Sequence, residues 1–190
     1  MTNQPLALQL LHLLSTQSMG RRRLAEASGL TEMVVRQALD ELRKLGLVRA
    51  ERTGFRLTEV ALAQYSSLFE GVRSVVPLSM RLFGEPNTFL AGHLTRTPSE
   101  PAWALRDIAL SRGATGLIIL SYSDREWRFA HDGEPLKERN PADAETTDHI
   151  FPNPLEEDCL IAITAPCTGR AGLSLWAVIA TVLKSDLVEI

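Results

Sequence analysis

The stretch from Arg21 to Thr58 limits the possible folds more than any other part of the chain. Helix-forming residues lead to Gly29, and apolar residues at helical spacing then continue as far as Gly46. Two short alternating segments follow, on either side of Thr53-Gly54. Because glycine adopts a positive φ at low cost, it ends helices and enters tight turns. The order therefore predicts two helices joined by a tight turn and followed by a two-stranded hairpin.

Three helices are predicted in the first 46 residues. Pro5 suits the first turn of a helix over about residues 5–17, because an N–H there would have no helical partner. A second helix covers about residues 20–28, and a third begins after Thr31, whose hydroxyl can accept a hydrogen bond from a free backbone N–H. Apolar residues at helical spacing predict the buried side of the third helix: Val35, Ala38, Leu39, Leu42 and Leu45.

The other side of the third helix is polar, and the hairpin is basic, which favours DNA as the partner. The first turns of a recognition helix meet base edges in the major groove, and cations near a hairpin tip meet phosphate. The basic run at the start of the second helix opposes the helix dipole, which makes a phosphate contact there more favourable; a merely solvated helix start is the alternative. The candidate DNA contacts are Arg21, Arg22, Arg23, Thr31, Glu32, Met33, Arg36, Gln37, Arg52 and Arg56.

Several short motifs here resemble the winged-helix domains of MarR-like and related prokaryotic transcription regulators. They are Arg23-Leu24-Ala25, Gly29-Leu30-Thr31, Val35-Arg36-Gln37-Ala38-Leu39, Leu42-Arg43-Lys44-Leu45-Gly46-Leu47-Val48 and Leu57-Thr58. The resemblance covers about residues 5–70 and implies a winged helix that binds DNA. The whole chain also resembles small archaeal two-domain proteins in which such a head precedes a C-terminal domain of unknown function. That second resemblance transfers no site residues.

The charge distribution agrees with DNA contact at one end only. Residues 1–60 contain nine Lys or Arg and six Asp or Glu, whereas the remaining residues contain 11 basic and 17 acidic side chains. The first part therefore carries +3 and the rest −6, within a total of −3. A basic end on an acidic protein directs phosphate to that end.

Composition shifts divide the chain into three predicted parts. The head (residues 1–71) includes a further helix over about 58–71, which in winged-helix regulators makes the dimer contact; packing on the first helix is the equal alternative. Residues 72–87 form a linker, with Val75–Phe83 either a short strand or part of that linker, and Gly84–Asn87 a turn. Residues 88–190 form a C-terminal domain for effector binding or dimerisation.

The C-terminal domain is predicted to have an α+β fold with a small mixed sheet and two helices. Strands are expected over 88–94, 116–122, 126–130 and 159–165, with helices over 101–112, capped by Ser99, and 171–184. The polar segment 132–157 is expected to be a long loop or lid. Because a strand–helix–strand unit crosses over right-handed, the first two strands are expected to lie parallel.

No specific catalytic motif occurs, so neither an enzyme nor a cofactor is expected. The nucleophile elbow and the phosphate-binding loop are both missing, as is the glycine-rich motif of the archaeal riboflavin kinases that begin with a winged helix. His93, His131 and His149 lack a spacing that would fix a metal site, and no metal is predicted. Cys159 and Cys167 fit buried small residues better than ligands.

A weaker pattern suggests a small anionic effector. Thr168, Gly169 and Arg170 lie between a strand and the last helix, where free N–H groups and the helix dipole favour an anion. His93 and Arg96 follow a strand, and Arg106 lies on a helix, so these three are candidates to assist. A purely structural loop at residues 168–170 is the alternative.

The sequence therefore predicts a cytoplasmic transcription regulator that binds double-stranded DNA as a homodimer. It shows neither a signal peptide nor an apolar run long enough to cross a membrane. The alternative is an interaction module that docks on transcription or RNA machinery without specific DNA binding, and an enzyme with a winged-helix appendage ranks below both.

Overall fold

The first three helices form where the sequence predicts them. The computed structural model describes residues 4–81 and 87–183. It contains α1 (Gln4–Thr16), α2 (Arg21–Ser28) and α3 (Glu32–Lys44). Gly29 ends α2 with φ 68°, and the Thr31 hydroxyl accepts a hydrogen bond from the Val34 N–H at 3.4 Å. Leu45 was expected to be buried but follows the last residue of α3 and is 53% exposed, so the buried side ends at Leu42.

The hairpin comprises β1 (Val48–Glu51) and β2 (Gly54–Leu57), with Arg52 and Thr53 in its turn. The predicted turn at Thr53-Gly54 is wrong by one residue because Gly54 belongs to the strand. Met19 and Phe55 exchange two backbone hydrogen bonds of 3.1 and 2.8 Å. A Cβ on Gly54 would lie 2.4 Å from the Met19 carbonyl carbon. Glycine therefore permits this close backbone approach and does not form the turn.

The predicted helix after the hairpin is divided into α4 (Glu59–Gln64) and α5 (Ser66–Gly71). Thr58 caps α4 by accepting from the Ala61 N–H at 3.2 Å and donates to the Gly46 carbonyl at 2.7 Å. α5, the second half of the predicted helix, packs against α1, and its Leu68 is fully buried. For α5 this confirms the alternative that the predicted helix packs on the first helix. α4 leaves Val60 and Leu62 exposed.

A five-stranded sheet forms the centre of the C-terminal part and confirms the α+β class. Its strands are β3 (Val72–Met80), β4 (Asn87–Leu94), β5 (Gly116–Ser123), β6 (Glu126–Phe129) and β7 (Cys159–Thr164), in the order β3-β4-β7-β5-β6. All pairs between these described strands are antiparallel, so the expected mixed sheet is wrong. β4 and β5 still run in one direction, because β7 lies antiparallel between them.

Residues 72–80 of the predicted linker form β3, so the strand alternative was the correct one there. β3 pairs with β4 along most of its length. The predicted turn at 84–87 lies outside the described residues, apart from Asn87 at the start of β4. We call residues 72–183 the body, because the chain enters the sheet directly after α5.

Four helices complete the body: α6 (Ala102–Ser111), α7 (Leu136–Arg139), α8 (Pro141–Ile150) and α9 (Thr168–Val182). The long loop predicted over 132–157 is therefore wrong in its middle. Asn140 caps α8 and Pro141 is its first residue, a position where proline starts a helix. The predicted Ser99 cap is also wrong: α6 follows Pro101 without a side-chain cap, and the Ser99 hydroxyl donates to Glu100.

Two apolar cores lie on the two faces of the sheet. The shared core combines α1–α3 of the head with α6, α9 and one sheet face. The body core lies beneath α7 and α8 on the other face. Trp176 of α9, 1% exposed, is the largest buried side chain of the shared core. The head and body are therefore joined by packing as well as by the chain. None of the helices in the described ranges is long and apolar enough to span a membrane.

Candidate nucleic-acid interface

The outer side of α3 carries exposed side chains that the sequence predicts as DNA contacts. Glu32, Arg36 and Gln37 are exposed in its first two turns, and Met33 is 68% exposed. Val35 and Leu39, both fully buried, anchor the opposite side in the shared core. Thr31, the N-cap, is exposed at the same end of the helix. The structure thus brings five predicted DNA contacts together on one helix.

The hairpin provides a second group of basic side chains. Arg52 lies in its turn, and Arg56 in β2 lies directly opposite Arg49 in β1, with all three exposed. Ser18 and Thr53 approach at 3.3 Å between their hydroxyl oxygens, which ties the turn to the loop before α2. Arg49 is not among the DNA contacts predicted from the sequence, because it lies opposite Arg56 only when the turn is at Arg52-Thr53.

Most of these cations have no acidic partner. Arg22 donates to Glu26 at 3.1 Å, and Arg49 donates to Glu51 at 2.9 Å. Within the described ranges no ion pair is formed by the other basic candidates: Arg21, Arg23, Arg36, Arg52 and Arg56. Exposed cations without a carboxylate partner are available to neutralise phosphates.

The turn between α2 and α3 rests on the first turn of α9. A Cβ on Gly29 would lie 2.7 Å from the Gly169 nitrogen, and a Cβ on Gly169 would lie 2.5 Å from the Gly29 carbonyl oxygen. Only a glycine at each position allows the two backbones to approach this closely. The contact fixes the start of α3 relative to the body. It also fills the space beside Gly169, so the geometry does not favour the predicted anion site there.

The six predicted ligand residues do not converge on one site. Gly169 is buried against Gly29, and the Arg170 side chain lies beside Gly113. Arg96 lies just beyond the end of β4. Thr168 borders the groove between α1 and β3, whereas Arg106 borders a separate cleft beside β5.

His93 is a structural residue of the sheet. Its Nε2 lies 2.9 Å from the Asp158 carboxylate, which also accepts from Arg73 at 2.9 Å and from the Leu155 N–H at 2.9 Å. Burial lowers the pKa of His93, while its hydrogen bond to Asp158 opposes that shift. This network joins β3, β4 and the residues before β7.

Cysteine and histidine provide no metal centre in the part of the chain that the structure describes, where no three potential ligands come together. Cys159 is buried in β7, and burial raises the pKa of its thiol. Cys167 is exposed before α9, so the expectation of a buried residue is confirmed for Cys159 and wrong for Cys167.

Comparison with known proteins shows what the head is similar to. Residues 7–70 match the family model of the CggR N-terminal DNA binding domain. The head is similar to a DNA-binding domain of regulators. The fold is also similar to a solved structure, the hypothetical protein PH0730 from Pyrococcus horikoshii OT3, with a TM-score of 0.78 and 25% sequence identity. That match covers 97% of this chain and 94% of the archaeal one. No curated protein matches the chain.

Proposed function

We propose that the protein is a sequence-specific transcription regulator that binds double-stranded DNA through a winged helix of MarR-like type. In this proposal, α3 enters the major groove, and the β1–β2 hairpin is the wing that contacts the flanking DNA backbone. The observation that carries the proposal is the exposed outer side of α3, in a head similar to a DNA-binding domain. Arg36 and Gln37 would contact bases, and Arg52 and Arg56 would contact phosphates.

We further propose that the active form is a homodimer on a two-fold symmetric site. Three apolar side chains at or near α4 support this: Leu45, Val60 and Leu62 are 53%, 59% and 47% exposed. Apolar groups that remain in water on a monomer favour burial against a second surface. Light scattering tests the state, and Val60→Asp should convert a dimer to a monomer. A monomer at all concentrations would contradict this part of the model.

The body would act as a sensor of a small anionic effector and not as an enzyme. Its contact with the head, at Gly29 and Gly169, supports a transmitting role. An effector changes DNA affinity only if it binds differently to the two states of the protein.

Binding of genomic DNA fragments, followed by fluorescence anisotropy at several salt concentrations, tests DNA recognition. A specific regulator should prefer a subset of fragments, and log K should fall with log salt with a slope of about −0.9 per phosphate contacted. Equal binding of all DNA fragments at every salt concentration would contradict the proposal that the protein is a sequence-specific regulator. It would favour docking on transcription or RNA machinery instead.

Three variants separate base contacts from phosphate contacts. Arg36→Ala or Gln37→Ala should cost about 1–3 kcal/mol on preferred DNA and little on other DNA. Arg52→Ala should weaken binding to all DNA and reduce the salt slope by about 1. Lys137→Ala, which removes an exposed cation from α7, is the matched control and should change neither quantity.

A further inference from the structure

A cleft of about 450 Å³ opens between α6, the first half of β5 and α7. β6 is short: it pairs with β5 from Leu120 to Ser123, and the chain turns away after a last hydrogen bond of 3.0 Å from the Ala130 N–H to the Ile119 carbonyl. Leu117 at the start of β5 and the Phe129 ring provide apolar lining. The volume lies within the range of about 300–1,000 Å³ that is typical of small-molecule sites.

The ionisable side chains that line this cleft are all basic: Arg106, His131 and Arg139. Arg139 is held in place by ion pairs with Asp132 and Glu134, and its guanidinium lies 4.6 Å from the centre of the Phe129 ring. A hydrogen bond from the Glu134 N–H is the main cause that lowers the pKa of Asp132. The Asp132 carboxylate, ion-paired with Arg139 at 3.1 Å, keeps that guanidinium in position.

Arg106 differs from Arg139, because within the described residues it has no acidic partner. It is exposed on α6 and borders the cleft. The body has an excess of acidic residues. The unpaired Arg106, beside the apolar lining of the cleft, is therefore the group that is available to bind an anion. An ionised acid would bind it through a charge-assisted hydrogen bond.

Trp103 lies one turn before Arg106 on α6 and also borders the cleft. It is 68% exposed, whereas Trp127 and Trp176 are 2% and 1% exposed. Residues three apart on a helix lie on the same side, so the indole and the guanidinium are neighbours. An exposed indole beside a cleft offers a flat apolar surface to a ligand.

We propose that this cleft binds a small molecule with a flat apolar body and one acidic group. The flat body would lie between Trp103 and the apolar floor, and the acid would pair with Arg106. This site deepens the proposed function by supplying the effector site of the regulator. Binding itself needs no DNA, so failure of the site and failure of the regulator are distinguishable.

The test uses two fluorescent probes that share their rings but differ in charge. One is 8-anilino-1-naphthalenesulfonate, an anion, and the other is its uncharged counterpart N-phenyl-1-naphthylamine. Both are titrated into the full-length protein, and emission of the probe and of tryptophan is recorded. We expect the anionic probe to bind saturably at one site per chain. Its binding should quench part of the tryptophan emission, and this quenching should be absent in Trp103→Phe.

Variants then assign the two parts of the site. Arg106→Gln should weaken the anionic probe about tenfold to hundredfold and the neutral probe less than about twofold, since only the anion loses a charge-assisted contact. Trp103→Ala should weaken both probes. Arg112→Gln, at the exposed end of the same helix and outside the cleft, should change neither. Circular dichroism verifies that each variant is folded.

Two results would overturn the site: no saturable binding of the anionic probe, or equal affinities in the wild type and Arg106→Gln. DNA affinity measured with and without saturating probe tests the regulatory step separately. Probe binding that leaves DNA affinity unchanged would retain the site and overturn its role as an effector site.

Discussion

The shared core and the body core lie on opposite faces of one sheet and have different consequences for function. The shared core holds α1 of the head against α9 of the body, with Trp176 and Leu175 fully or almost fully buried. In the described parts of the chain, the body core contains no head residue. A change in the shared core therefore reaches α3, whereas a change in the body core can remain local. The proposed ligand cleft touches both, since Leu117 packs against the shared core and Phe129 belongs to the body core.

Both cores also contain buried polar groups. In the body core, the buried Asp143 carboxylate accepts from the Arg81 N–H at 3.0 and 2.9 Å and from the Asn140 amide at 2.8 Å. In the shared core, Gln9 of α1 is 5% exposed, and its Oε1 has no hydrogen-bond partner among the described residues. An unsatisfied buried acceptor destabilises the fold. Among the described residues the body core has an unpaired buried donor as well, the Trp127 Nε1, so incomplete pairing is not confined to the head–body contact.

Matched leucine substitutions give the largest expected effect. Leu175 in the shared core and Leu136 in the body core are both 0% exposed. Replacement by alanine should lower the free energy of unfolding by about 2–5 kcal/mol in each case, because a cavity remains. Urea unfolding followed by circular dichroism measures this loss.

Hydrogen exchange in α3 distinguishes the two substitutions. Leu175→Ala should accelerate exchange there, because α9 supports the head, whereas Leu136→Ala should leave it nearly unchanged. Equal acceleration of exchange in both variants would mean that the two cores unfold as one unit. It would contradict the expectation that a change in the body core stays local.

Substitution of Gly29 by alanine should cause the next largest loss of stability, because it disrupts the contact between head and body. Gly29 and Gly46 have φ values of 68° and 72°, so alanine should cost about 1–2 kcal/mol at either position from backbone strain alone. A Cβ at Gly29 would also meet Gly169, whereas nothing lies within 4 Å of a Cβ at Gly46.

Gly46→Ala is therefore the matched control in thermal and urea unfolding. We expect Gly29→Ala to lose more stability and also DNA affinity, since the start of α3 must shift. If the two variants are equally stable, the Gly29–Gly169 contact does not hold the head in place.

Local signals made the head predictable. Gly29, Thr31 and Gly46 each mark a helix end through their own backbone or side-chain chemistry, and these ends are confirmed. The hairpin turn was misplaced because Gly54 satisfies a contact with Met19, which lies 35 residues earlier in the chain. No pattern within the hairpin itself reveals that constraint.

The body was less predictable because its pairing is set by distant residues. β7 inserts between β4 and β5 although it comes last in sequence, and only the packed sheet fixes that order. α7 and α8 have a weak apolar pattern, and burial of Leu136 and Phe151 beneath the sheet stabilises them more than local propensity does. Of the predicted ligand residues, Arg106 alone enters the proposed cleft, because the cleft requires β5 and α7 to meet.

The next prediction is a smaller effect of opposite sign, a gain of stability in Gln9→Leu. This substitution removes the buried Oε1 that lacks a partner and replaces it with an apolar group of similar size in an apolar surrounding. We expect the free energy of unfolding to rise by about 1 kcal/mol. Asp143→Leu is the contrasting variant, because it removes a satisfied carboxylate and should destabilise the body. A loss of stability in Gln9→Leu would show that the Gln9 amide is satisfied in solution.

The smallest effect concerns pH. Burial lowers the pKa of His12, against the opposing effect of a hydrogen bond from its ring to the Val72 carbonyl, and the ring lies 5.1 Å from that of Trp176. Folded His12 therefore stays neutral while the unfolded chain takes up a proton near the ordinary histidine pKa of about 6.5. This part of the stability is present above that pH and is lost as the pH falls.

The His12→Gln variant should reduce the fall in unfolding free energy between neutral and mildly acidic pH. His149→Gln, which removes an exposed histidine of α8, serves as the matched control. Because His93 shifts in the same direction, part of the slope should persist in both variants. A steeper slope in His12→Gln than in His149→Gln would show that protonated His12 is accommodated at the head–body contact. In that case the shared core tolerates a partly buried charge beside Trp176.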